Sequence, residues 1–266
     1  MRNHGLVVPA LLFTLAFSGR STASEENAAA IARTMLGLAA APEEPCRGMP
    51  EGAGPGTAFV CARASSDFET FRESWDQSAT RADKLPTLPK PKTDWLTQAG
   101  GRMRWYAVDE KWLVVTYDSS SHRVVISYPR DKEGVIALTK GITPPKRFPT
   151  DYNVGENRRQ ARLGLKADTQ GVVVLSGVIR KNGSIDGVEV LGCLPRNRGL
   201  EAAAINALKQ WKCEPAMKDG VPVDVYMVAS FTYGPGGSFR ESGSSVPETG
   251  IQGHSGNMQP TGSNPP

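Results

Sequence analysis

The chain has 266 residues, a formal net charge of +4, 39% hydrophobic residues and 22% charged residues. Lys and Arg are scattered among Asp and Glu, so the basic stripe with interleaved aromatics that nucleic-acid binding calls for is missing, and no nucleic-acid partner is expected. The length suits two modest domains plus tails.

The first residues read MRNHGLVVPALLFTLAFSGRSTAS: Arg2 is a positive n-region, Leu6 to Phe17 an apolar run, and Ser21-Thr22-Ala23 a small-residue cleavage site. That run has the ~7–15 residues of an export h-region, whereas a membrane-spanning helix needs roughly 20. Residues 1–23 are therefore expected to be a signal peptide, and the mature protein periplasmic or secreted. The alternative is a chain anchored in the inner membrane and facing the periplasm. An exported chain with an even set of cysteines, Cys46, Cys61, Cys193 and Cys213, is expected to form two disulfides. Four cysteines allow three pairings, and the two local ones, Cys46 with Cys61 and Cys193 with Cys213, are favoured because each brackets one short connection. Without CxxC spacing or histidine partners there is no metal-site pattern, and no cofactor is implied.

Residues 24–141 read as a small α+β domain of unknown role. Glu25 to Leu38 spaces Ile31, Met35 and Leu38 helically, which predicts a helix. Ala58 to Ala62 is a short strand, and the GAGPG stretch before it a flexible loop, since it does not open a helix as a phosphate cradle would. Ser66 with Glu69 three residues on is a capping-box pattern, and Phe68, Phe71 and Trp75 share the next helix face. Lys84 to Lys92 is a stiff proline-rich connector. From Arg102 the period falls to two, predicting an antiparallel meander over about 102–108, 111–118 and 122–128, with a fourth strand over 134–138. Its aromatics, Trp105, Tyr106, Trp112, Tyr117 and Tyr128, are expected to be cross-strand pairs; a ligand platform there is the alternative.

Residues 142–154 string Pro and Gly between two patterned regions and read as a linker. In 155–233, GVVVLSGVIRKNGSIDGVEVLG is two alternating segments about Asn182-Gly183, a hairpin signal, and NRGLEAAAINALKQW sets Leu200, Ala203, Ala204, Ala207, Leu208 and Trp211 on one helical stripe. Pro215 stops that helix, Asp219-Gly220 turns the chain, and Val223, Val225, Met227, Ala229 and Phe231 then alternate inward. Residues 234–266 lack the apolar content to offset ordering entropy and are expected to be a disordered tail.

Gly171 opening a hydrophobic strand, the Asn182-Gly183 turn, the alanine-rich helix ending LKQWKCEPA and DGVPV leading to the last strand together resemble the C-terminal domain of the TonB energy-transducer family. The resemblance runs from about Arg159 to Tyr233 and implies a ββαβ unit: a three-stranded antiparallel sheet backed by a helix, its last strand at an edge. It also implies protein partners in the cell envelope, outer-membrane transporters among them, bound by strand addition at that edge. The partner-binding residues are then Val223, Asp224, Val225, Tyr226, Met227, Val228 and Ser230, with Asp224, Tyr226, Val228 and Ser230 facing outward. Val172, Val174 and Val178 make the opposite face of the first strand apolar as well, so that face is expected to be covered, either by the N-terminal domain or by a partner such as a second copy in a homodimer.

Enzyme chemistry has little support. The histidines are His4, His122 and His254, which gives a triad one candidate base in the folded part and no elbow motif for a nucleophile. The leading reading is a non-enzymatic exported protein that binds envelope partners through a TonB C-terminal-like domain. An anchored energy transducer, and a small-ligand binder or enzyme working through the N-terminal domain, are the alternatives.

Overall fold

The computed structural model describes residues 40–42, 46, 49–80, 91–98, 100–108, 111–138, 141–148, 164–166, 168–235 and 239–243. The expected signal peptide, the helix over 25–38 and most of the tail lie outside the described residues. Fold class is mixed α and β with antiparallel sheets.

In the first half, α1 (Phe68–Thr80) stands between β1 (Ala40–Pro42) and β2 (Thr57–Ala64) before it and β3 (Leu96–Gln98), β4 (Gly101–Val108), β5 (Lys111–Asp118) and β6 (Arg123–Pro129) after it. These strands form a six-stranded sheet ordered β1-β2-β6-β5-β4-β3. β4, β5 and β6 are the meander the alternation predicts. The cap of α1 lies one residue past the expected Ser66: Asp67 accepts from Thr70 N at 3.0 Å, while the Ser66 carbonyl accepts the Tyr117 hydroxyl. One sheet face packs on α1 through Phe71, Trp75, Tyr106, Leu113, Val115 and Tyr117, with Trp75 Nε1 donating to the Tyr106 hydroxyl at 2.8 Å.

The second half comprises β7 (Val135–Ile136), β8 (Ile142–Thr143), β9 (Lys146–Arg147), β10 (Gly171–Ile179), β11 (Ile185–Leu194), α2 (Arg198–Lys209), β12 (Cys213–Glu214), β13 (Ala216–Lys218), β14 (Val221–Tyr233) and β15 (Phe239–Gly243). Its sheet runs β11-β10-β14-β13-β8, with β7 and β15 also on β14. The Asn197 side chain caps α2 by accepting from Gly199 N and Leu200 N, and the predicted stripe of α2 is buried on Val173, Leu175, Ile179, Met227 and Phe231. Trp211 fills the end of that core against Phe231, ring centroids 5.9 Å apart.

Three expectations are corrected here. The segment over 134–138 does not extend the meander; its two strand residues pair parallel with β14, Asp224 opposite Val135 and Val225 opposite Ile136. Part of the expected linker is in strands: β8 pairs with β13, and β9 with β12. The expected disordered tail contributes β15, which pairs antiparallel with β14.

The two sheets pack face to face, which gives four layers: α1, first sheet, second sheet, α2. Met103, Trp105, Trp112 and Val114 of the first sheet meet Val172, Val174, Leu191, Leu194 and Val228 of the second. Trp105 and Trp112 stack there, 5.7 Å apart and 14° from parallel. Val172, Val174 and Val178 are all buried, Val172 and Val174 against the protein's own first sheet. This apolar face is not the surface of a homodimer. Burying one such side chain is worth about 1.5–3 kcal/mol, so separating the sheets would forfeit several times that.

Candidate partner-binding edge

β14 is 13 residues long and has β10 along one side, in unbroken antiparallel register from Val225 opposite Ile179 to Tyr233 opposite Gly171. Its other side is the row the resemblance assigns to a partner. That row is not open along its length. β13 takes Val221 to Val223, β7 takes Asp224 and Val225, and β15 takes Ala229 to Tyr233. Registered pairs stop at Val225 and resume at Ala229.

The individual residues are correspondingly committed. Val223 is opposite Ala216 of β13. Asp224 accepts from Arg180 Nη1 and from Lys181 N, each at 2.7 Å. Partial burial alone would raise the pKa of the Asp224 carboxyl, but these two donors hold it below the ordinary value. Val225 and Met227 point into the α2 core. The residues expected to face outward, Tyr226, Val228 and Ser230, are instead buried because that face meets the first sheet. The Tyr226 hydroxyl bonds Lys132 N, and its ring lies under Lys111 Nζ at 4.6 Å. Lys111 is itself paired with Asp131. Strand addition through outward side chains of Tyr226, Val228 and Ser230 is therefore not available in this structure; what β14 presents to an incoming strand is backbone.

The disulfide expectation divides. Cys46 and Cys61 are bonded, with Cα atoms 5.1 Å apart. Cys193 and Cys213 are buried free thiols, which corrects the second pairing. Cys193 is opposite Val173 at the far end of the β10–β11 hairpin, whereas Cys213 N donates to Gly183 O at the hairpin's turn. The 12-residue helix α2 lies between them and spans about 18 Å, beyond the ~7 Å Cα separation a disulfide tolerates. Burial pushes the Cys193 thiol up to about 12 and the Cys213 thiol up to about 11.

One site was missed by the sequence reading. The GAGPG loop is held against the second sheet: Gly52 N donates to Glu201 at 2.6 Å, Gly56 N and Thr57 Oγ1 donate to Glu189 at 2.9 and 2.8 Å, and Val190 N donates to Gly52 O at 3.1 Å. Arg198 pairs with Glu51, and Arg196 donates to Met49 O. A Cβ on Gly52 would meet Val190 and Glu201 at 2.6 and 3.2 Å, so glycine permits the close approach. The loop thus covers the border of β11 as β7, β13 and β15 cover that of β14. Desolvation by burial raises the pKa of the Glu201 carboxyl, which the Gly52 N–H counteracts.

For ligand chemistry the first half offers less. Tyr106 and Tyr117 are spent in the α1 core, Trp105 and Trp112 between the sheets, and Tyr128 beside Ala58. His122 stacks on Tyr117 at 6.2 Å in the turn after β5. A cleft of about 170 Å³ lined by Tyr117, Asp118, Arg123, Leu194 and Arg196 is below the ~300 Å³ at which ligand pockets begin. Among the described residues no group of three His, Cys, Asp or Glu is placed to hold a metal, and no helix is long and apolar enough to cross a membrane.

Comparison with protein families matches residues 162–235 to the family described as Gram-negative bacterial TonB protein C-terminal. A search of curated proteins finds none that matches the chain. The matched span holds β10, β11, α2 and β12 to β14, the elements in which strand, hairpin, alanine-rich helix and final strand succeed one another, so residues 162–235 belong to the TonB C-terminal family.

Proposed function

We propose that the protein is a non-enzymatic, exported cell-envelope protein that binds other envelope proteins by accepting an extended segment of the partner as an added strand on β14. The observation that carries this is β15: the edge of β14 from Ala229 to Tyr233 holds an antiparallel strand in register, so its backbone donors and acceptors are set for strand addition. Recognition rests on main-chain hydrogen bonds at Ala229–Tyr233, while Val223 to Val228 serve as the frame that holds β14 between the two cores. Outer-membrane transporters, with extended segments reaching into the periplasm, are the partner class the family suggests.

Export rests on the first 23 residues, read as a signal cut after Ala23, and sequencing the N-terminus of the mature protein tests this, residue 24 or a near neighbour being the expected start. Binding is tested by titrating the labelled protein with peptides copying extended periplasmic segments of outer-membrane transporters. NMR shifts should concentrate at Ala229–Tyr233. Shifts confined to the first sheet would transfer the activity to the N-terminal half and end this reading.

A further inference from the structure

We infer that β15 is a built-in competitor for the partner site: an internal strand that must leave β14 before a partner's strand is accepted. This rests on the strand-addition reading above and concerns its regulation. Three observations carry it. β15 pairs with Ala229 to Tyr233, the stretch of the β14 border that, among the described residues, β13 and β7 do not hold, apart from the step between Val225 and Ala229. It lies beyond residue 235, outside the span that the family match covers. β14 is its one strand partner in the described sheets.

The short connection Gly234-Pro235-Gly236-Gly237-Ser238 keeps the competitor close. A segment on a short linker acts at an effective concentration in the millimolar range, and a partner's apparent affinity falls by the fraction of molecules whose site is vacant. A border occupied nine-tenths of the time weakens an outside strand about tenfold. The device also resolves a hazard, since a bare edge strand pairs indiscriminately; an internal occupant excludes weak strands and yields to strong ones.

The test uses the full chain with Arg240→Pro or Glu241→Pro. Proline removes a ladder donor, and because neighbouring residues in a strand point their amides to opposite sides, one of the two must strike the β14 side. The probe is a fluorescent synthetic peptide with the sequence of residues 238–244, SFRESGS, followed by anisotropy, with thermal unfolding confirming that both variants keep the wild-type body. At least one variant should bind the probe about tenfold or more tightly than wild type. Equal binding by wild type and both variants would overturn the competitor and leave strand addition standing. Failure of all three proteins to bind would overturn strand addition itself, and the competitor with it.

Discussion

Two glycines with nearly the same backbone provide a controlled test of the packing described above. Gly183 has φ 78° and Gly220 has φ 79°, each in a turn of the TonB-type domain. Alanine at either pays about 1–2 kcal/mol for left-handed backbone, offset by the ~0.4–1 kcal/mol that a stiffer unfolded chain returns. At Gly220 nothing lies within 4 Å of the added methyl, so the net cost of Gly220→Ala is about 1 kcal/mol. At Gly183 the methyl would land on the Cys213 carbonyl oxygen, a backbone atom that cannot rotate away. The turn must then retreat, which strains the 3.0 Å bond from Cys213 N to Gly183 O and the short β9–β12 ladder beside it. Overpacking of this kind costs about 1–3 kcal/mol and an orphaned buried amide about 1–3 more, so Gly183→Ala should be at least about 2 kcal/mol worse than Gly220→Ala. Urea unfolding of the two variants measures the difference through their midpoints at unchanged slope. If the two destabilise equally, β12 does not dock on the hairpin turn and the placement of α2's exit is wrong.

Other consequences concern the covered borders and the cysteines. Glu189→Ala removes the acceptor of Gly56 N and Thr57 Oγ1 and should cost about 2–3 kcal/mol in denaturant unfolding, with Glu189→Gln recovering part. Cys46→Ser opens a loop of sequence separation 15 and should cost about 3 kcal/mol in oxidising buffer, a difference that vanishes when wild type is reduced. Cys193 and Cys213 should react with a thiol reagent at pH 8 only as fast as the protein unfolds, since burial holds both thiols protonated. Because both folded pKa values, about 12 and about 11, lie above the ordinary 9.0, the unfolded chain releases protons first. Stability is then full below about pH 9 and falls as pH rises toward the folded values, by about 1.4 kcal/mol per unit per thiol. The double variant Cys193→Ala, Cys213→Ala should flatten that limb of a pH series of denaturation midpoints.

What was legible in the sequence is what depends on local periodicity. The alternation of Val173, Leu175 and Ile179 and the stripe from Leu200 to Trp211 carry their own burial, because each side chain's direction follows from its place in a strand or helix. The pairing of Cys193 with Cys213 failed for a geometric reason: twenty residues look like a short bracket in one dimension, but a helix between them turns that bracket into a spacer. Asn182-Gly183 marked a turn correctly without naming its form. Gly183 N donates to Arg180 O, and of the two turn residues only Gly183 has positive φ, whereas at Asp219-Gly220 both do, as a two-residue hairpin of primed type requires.

The partner edge was the least legible feature because occupancy of a strand's border is decided by segments remote in sequence or poor in pattern. The polar run Phe239 to Gly243 gives no alternation, and the strand expected over 134–138 carries nothing that names β14 as its partner, yet both dock because β14 offers a backbone row that is costly to leave unpaired. The glycine loop obeys the same rule on the opposite border. Composition marks it as flexible, but flexible backbone is what can approach β11 closely, and the carboxylates of Glu189 and Glu201 then receive amides a side chain would have kept away. An open sheet carries two borders at risk of promiscuous pairing, and here the described backbone lies along both, leaving the step between Val225 and Ala229 on β14. The β11 closure is anchored by the buried Glu201, the half-buried Glu189 and a disulfide-closed loop; the β15 closure is tethered by a glycine-rich connection at one end and has β14 alone as strand partner in the described sheets. Of the two, the second is held as a strand by β14 alone among the described sheets, which is why the proposed strand addition is placed at Ala229–Tyr233 and not at β11.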